Sequence, residues 1–212
     1  MQNSPIKPLF EIDLSLKSSD QRLIKIHRDG YNKKQDTQLL DAKNDLEAIS
    51  SFLSEYQDTT GTLRCYVKEI ENLLLWFIHI QKTAISDLRR DDLVAFQALL
   101  QNPQPKKLRC GKATARFCKD GSSNPDWRPF VNGLGESSIK LSLRILDSFF
   151  NYLVQTNYLV DNPLAVDRRR KKRQGKPKLV ERYLELKEIH AVLDTLSSHA
   201  IDDSDDTTLG KS

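Results

Sequence analysis

Three sets of cations carry the chemistry that this sequence can do. The densest runs through Arg168, Arg169, Arg170, Lys171, Lys172 and Arg173 and on to Lys176 and Lys178; eight of the eleven residues from 168 to 178 are basic and none is acidic. A sparser set, Lys106, Lys107, Arg109, Lys112, Arg116 and Lys119, again encloses no acid. The third is split between two helical patterns, Arg64 with Lys68 and Lys140 with Arg144, each pair four residues apart and so on one helix face. Such rows suit a polyanion, because each phosphate neutralised releases condensed counterions. A helix with a basic outer side also fits the major groove. Ser137 and Ser138, at the start of the last long helical pattern, add backbone N–H groups for phosphate. Taken alone, the helix pairs also read as solvated surface and the run from Arg168 to Lys178 as a polybasic tail or nuclear signal; double-stranded DNA is the partner that would use all three sets.

Other chemistries are poorly provided for. Cys65, Cys110 and Cys118 form no even framework for disulfides. Cys110 and Cys118 lack the close pairing and nearby histidine of a zinc site, so no metal and no cofactor are expected. His79 and His190 fall inside helical patterns and read as core or surface residues. The longest apolar run, from Leu73 to Ile78, is far shorter than the ~20 residues a membrane span needs. Lys7 and Glu11 around Pro8, Leu9 and Phe10 do not make a signal peptide. A cytoplasmic protein without membrane contact is expected. Its net charge is only +4, so the uneven spread of charge is the informative part.

The elements that must position these cations are helical. Residues 1 to about 40 show no sustained period and read as an extended or partly ordered arm. Asn44 with Glu47 makes a capping pattern, followed by Leu46, Ile49, Phe52 and Leu53 on one face up to about Tyr56. Thr62 is expected to cap a second helix whose stripe is Leu63, Tyr66, Val67, Ile70, Leu73, Leu74, Phe77 and Ile78. Its solvent face would carry Arg64, Lys68, Glu71 and Asn72. Asp91 or Asp92 starts a third helix through Leu93, Phe96, Leu99 and Leu100, which Asn102 and Pro103 end. The stretch from Pro103 to Gly135 is a long loop, anchored by Trp127 and Phe130. Ser137 or Ser138 opens a fourth helix with Ile139, Leu143, Leu146, Phe149, Phe150 and Leu153 inward and Leu141 and Ile145 widening that stripe. A short helix from about Glu185 to Leu196 precedes an acidic tail.

The order of these signals resembles the core-binding domain of tyrosine recombinases of the phage-integrase family. The matching positions are Thr62 and Tyr66 in a helix opening, then Asp87, Leu88 and Asp91 in the next connection. Tyr158, Leu159, Asn162 and Pro163 match the exit from the last long helix. Trp127, Arg128, Pro129 and Phe130 are similar to a loop of plasmid- and phage-borne integrases. The resemblance covers about residues 44 to 196. It implies an all-α fold, a four-helix SAM-like bundle with a long basic loop between helices three and four. It also implies a layout of N-terminal arm (1–43), DNA-binding domain (44–166), basic linker (167–182), and the opening helix of a catalytic domain with an acidic tail (183–212).

In that family the linker joins two halves of a clamp around the duplex, so Arg168 to Arg173 would lie along the DNA backbone. The family's catalytic signatures do not occur here: there is no His-x-x-Arg and no tyrosine after Tyr183. The chain is therefore expected to bind DNA without cutting it, as a monomer that intact recombinase protomers could join. Two other readings fit the same residues: a helical interaction module for an acidic protein partner, and a truncated regulator occupying recombination sites.

Overall fold

The computed structural model describes residues 6–17, 20–24, 29–34 and 38–165. All belong to the first of the chain's two units, spanning 1–171. The linker at 167–182, the helix expected near Glu185 and the acidic tail lie outside the described residues. Those described are all-α, with six helices and no strand: α1 (Gln21–Ile24), α2 (Asp45–Ser54), α3 (Thr60–Trp76), α4 (Arg90–Gln101), α5 (Lys106–Arg109) and α6 (Glu136–Gln155).

Local chemistry explains where each long helix starts. The Asn44 side-chain oxygen accepts the Leu46 and Glu47 N–H groups, each at 3.0 Å, and caps α2. Glu47 reaches back to the Lys43 N–H and the Asn44 side-chain amide, both at 2.8 Å. Helix α4 opens where Asp92 accepts the Arg89 N–H at 2.9 Å, one residue ahead of the earlier expected start. Thr62 does not cap α3, which begins at Thr60, so Thr62 sits exposed in its first turn. Likewise α6 begins at Glu136, leaving Ser137 and Ser138 inside the first turn rather than at the cap. Beyond Trp76 the chain loosens into a π turn, Phe77–Gln81, and stops at Lys82, which is left-handed with φ 57°.

The core is where α6 packs on α2, α3 and α4. Phe52 sits at its centre, its ring 4.9 Å from that of Tyr66, 5.2 Å from Phe149 and 5.3 Å from Tyr152. Tilted and edge-on rings at such spacings add to the area they bury. The stripes expected for α2 and α4 are buried throughout. On α6, Leu146, Phe149, Phe150 and Leu153 are buried, whereas Leu141 is 55% exposed and does not widen the stripe. Ser142 takes the inward position next to it.

Two expectations need correcting. Glu71 and Asn72 are not on a solvent face: they are 1% and 4% exposed. Helix α3 is central and covered on its far side as well. What covers it includes the supposed arm, since Ile6, Leu9, Phe10 and Leu23 are buried in the core. Burial of four large apolar side chains, each worth about 1.5–3 kcal/mol, is what ties down a segment without helical period. A second stretch of that segment pairs with the chain leaving α6. The Val160 N–H meets the Asn32 carbonyl and the Lys34 N–H meets the Tyr158 carbonyl, both at 2.9 Å.

Candidate nucleic-acid interface

Helices α3 and α6 run antiparallel, because Tyr66 donates to Ser148 Oγ at 3.3 Å while Glu69, one turn on, accepts Ser142 Oγ at 2.5 Å. The chain neighbours of that second contact, Lys68 and Leu141, are both exposed. Lys68 and Leu141 therefore lie on the same side of the helix pair. Arg64 and Lys68 are exposed on α3, and Ser137, Lys140 and Arg144 are exposed on α6. Lys68 Nζ lies 3.3 Å from buried Glu69, and Lys140 Nζ lies 3.0 Å from Glu136 one turn away. Surface pairs like the latter are worth at most about 1 kcal/mol, so they compete weakly with a phosphate. Arg64 and Arg144 have no ion pair among the described residues.

The loop from 103 to 135 divides its cations. Lys106 and Lys107 on α5, and Lys112 and Lys119 after it, are exposed. Arg109 and Arg116 are not surface phosphate contacts. Arg109 is 3% exposed, with its Nε on the Gln104 carbonyl at 2.8 Å. Arg116 turns inward, its Nη2 2.6 Å from Glu71 Oε2 and its guanidinium over the Trp127 ring at 5.6 Å. The Trp127 and Phe130 side chains are buried as loop anchors. The Gly111 and Phe130 N–H groups bond across to the Phe130 and Arg109 carbonyls at 3.0 and 3.1 Å, which closes the loop on itself. Arg168, Arg169, Arg170, Lys171, Lys172 and Arg173 lie outside the described residues.

Several of the residues that carry the sequence resemblance act here as structural ties. Tyr158 donates its hydroxyl to Asp45 at 2.8 Å, and Ser86 donates N–H and Oγ to the other oxygen of Asp45 at 3.0 and 3.1 Å. Burial raises the Asp45 carboxyl above the ordinary carboxylate range, against the pull of those donors. Burial likewise raises the Tyr158 hydroxyl. Asp87 accepts the Tyr31 N–H at 3.0 Å, and Leu88 is buried. Asn162 donates to Asp147 and Asn151 of α6 at 2.9 and 2.7 Å and accepts the Leu164 N–H at 2.8 Å, fastening the exit from α6.

Glu69, Glu71 and Ser142 are the positioning residues that the sequence hides. Burial pushes the Glu71 carboxyl up; the Arg116 charge and the Leu9 N–H, at 2.8 Å, act against it. A cleft of about 450 Å³ opens between the turn at 13–16, α2 and the start of α3. Its lining, Asp13, Ser15, Ser50, Gln57 and Leu63 among others, includes no cation among the described residues and does not suit a polyanion. No helix among the described residues is long and apolar enough to cross a membrane. No protein-family model, curated protein or solved structure matches this chain.

Proposed function

We propose that this chain binds duplex DNA through the exposed cations of α3 and α6, as a core-binding domain of the tyrosine-recombinase type with a four-helix SAM-like bundle. The observation that carries this reading is that two helices packed antiparallel, α3 and α6, each expose a pair of cations four residues apart, Arg64 with Lys68 and Lys140 with Arg144. Phosphates on either side of a groove would meet cations from both helices. Ser137 at the start of α6 adds N–H donors at the positive end of a twenty-residue helix. Lys106, Lys107 and Lys112 extend the basic surface along the loop, and the run from Arg168 to Arg173 adds six more charges in sequence. The function proposed is binding; no strand-transfer chemistry is assigned to this chain.

Fluorescence anisotropy of a labelled duplex across a salt series tests this. Four helix-borne cations contribute roughly 3–4 to the slope of log affinity against log salt, at about 0.9 per phosphate. The quadruple Arg64→Ala, Lys68→Ala, Lys140→Ala, Arg144→Ala variant should lose about that much slope while keeping its melting temperature. An unchanged slope would remove the α3–α6 face from the interface. Absence of binding at low salt would remove DNA as the partner and favour an acidic protein in its place.

A further inference from the structure

We infer that the cleft of about 450 Å³ between the turn at 13–16, α2 and the start of α3 binds a small organic cation, a primary ammonium carried on a short apolar chain. Its volume is that of a small-molecule site. The walls divide by chemistry. Leu53 and Leu63, both buried, give it an apolar side, and Asp13, Ser15, Ser50 and Ser54 give it a polar one.

The polar side offers acceptors. A hydroxyl carries one proton and two lone pairs, so one that has donated inside the protein faces a ligand as an acceptor. All three serines have donated: Ser15 Oγ to Asp13 Oδ1 at 2.6 Å, Ser50 Oγ to the Leu46 carbonyl at 3.0 Å, and Ser54 Oγ to the Ser51 carbonyl at 2.7 Å. The Ser15 N–H adds a second bond to Asp13 Oδ1 at 2.9 Å. The hydroxyl bond first, then the N–H bond, hold the Asp13 carboxyl below its ordinary range, so it is charged at neutral pH. Its Oδ2 accepts nothing among the described residues. Gln57 and Thr60 also line the cleft and can turn a donor or an acceptor to a ligand. The cation next along the chain, Lys17, is held by Glu11 at 3.7 Å and lies over the Phe117 ring at 5.0 Å. One charged carboxylate, three hydroxyls that have already donated and a leucine wall fit a positive head with several N–H groups and a few methylenes behind it. A phosphate or a carboxylate would meet like charge and lone pairs. The ammonium is either that of a free amine or the side chain of a lysine on a partner.

The probe is n-pentylammonium chloride, titrated into the full chain against sodium chloride at equal ionic strength, with the backbone amide resonances of Ser15, Ser50, Ser54 and Gln57 followed by NMR. A saturable shift is expected, with an apparent Kd on the order of 1 mM, the scale of a small ion held by a few contacts. Two control ligands, n-pentanol without the charge and methylammonium without the chain, should each bind roughly ten-fold more weakly or less tightly still. Asp13→Asn keeps an oxygen for the Ser15 bonds and should also weaken binding roughly ten-fold. If that variant disturbs the turn, the comparison of amine with alcohol on the unaltered chain decides. A linear response, parity of n-pentanol with n-pentylammonium, or full affinity in a folded Asp13→Asn overturns the site. The amide of Nα-acetyl-lysine separates the sources: affinity equal to that of n-pentylammonium assigns the site to a lysine side chain, and its loss assigns the site to a free amine. No arm contains DNA, so the outcome does not depend on whether the cations of α3 and α6 bind duplex.

Discussion

Removing Arg116 tests whether the buried carboxylate of Glu71 is a hub of the fold. Glu71 is 1% exposed and has two described partners, the Leu9 N–H at 2.8 Å and Arg116 Nη2 at 2.6 Å. Deleting one member of a fully buried pair costs about 3–5 kcal/mol, because the survivor is left charged and unsolvated. Here the Arg116 side chain is 26% exposed and the Leu9 N–H remains, so Arg116→Met should cost about 2–3 kcal/mol near neutral pH. For a chain of this size that is a fall in Tm of roughly 5–10 °C.

The pH dependence carries the argument further. Burial raises the Glu71 carboxyl in the native protein, and loss of Arg116 raises it more. The native state then binds a proton that the unfolded state, with an ordinary carboxylate near about 4.3, has already lost. Stability contributed by that proton is full below the unfolded pKa and disappears as pH rises through the folded one. The deficit of Arg116→Met should therefore be small at about pH 5 and reach its full size by about pH 8. Urea unfolding followed by circular dichroism at both pH values measures it. The double variant Glu71→Gln, Arg116→Met leaves no charge at this position and should be more stable than Arg116→Met alone at about pH 8, by roughly 1 kcal/mol. A deficit independent of pH, or a double variant no better than the single one, would refute the reasoning.

Three further outcomes follow from the same contacts. Asn44→Ala removes the acceptor for two α2 amides and should cost about 1 kcal/mol in urea unfolding, while Asn44→Gly should cost only a few tenths. At Gly30 an added Cβ would lie 2.3 Å from the Ser86 carbonyl carbon and 2.5 Å from the Asp87 nitrogen. Both are backbone atoms that cannot swing away, so Gly30→Ala should strip hydrogen-exchange protection from the Gly30 amide, which donates to Ser86 Oγ at 2.9 Å. Leu141→Ser changes an outward position and should leave stability within about 0.5 kcal/mol.

Periodicity made the four main helices legible, because Leu93, Phe96, Leu99 and Leu100, or Leu46, Ile49, Phe52 and Leu53, repeat at a spacing that only a helix brings to one face. The same rule misplaced Glu71 and Asn72. It assigns polar residues to solvent on the assumption that a helix has one covered side, and the second half of α3, Glu69 to Trp76, is covered all round. What covers its back is chain without period: Leu9 and Phe10 sit in a short stretch whose burial depends on a long-range partner, and no local spacing announces that. Start signals misled where a plausible cap lay one or two residues inside the helix, as with Thr62 and Ser137. Of the cations, Arg64, Lys68, Lys140 and Arg144 fall where a four-residue spacing opposite an apolar stripe puts them. Arg109 and Arg116 do not, because in a loop the sequence gives no face, and a basic run looks the same whether its members point outward or lock the loop to the core.

Two buried carboxylates account for how chain outside the helices is held. A helix satisfies its own amides, but the segments around Leu9, Gly30, Ser86 and Tyr158 have no ladder to join, and each buried donor there needs an acceptor. Asp45 accepts the Ser86 N–H and hydroxyl and the Tyr158 hydroxyl; Glu71 accepts the Leu9 N–H and pairs with Arg116. Each thus joins segments far apart in sequence to a helix, and each is a carboxylate that burial raises above its ordinary range. The sign is the same for both, so docking of these segments should weaken as pH rises above the ordinary carboxylate range, while the helices, held by apolar packing, should not follow. Hydrogen exchange can separate the two: corrected for the intrinsic rate, protection at the Leu9 and Ser86 amides should fall between about pH 5 and 8 relative to the middle of α6. Equal loss across all three would mean that the non-helical segments and the bundle open together, and that neither carboxylate acts as a local tie.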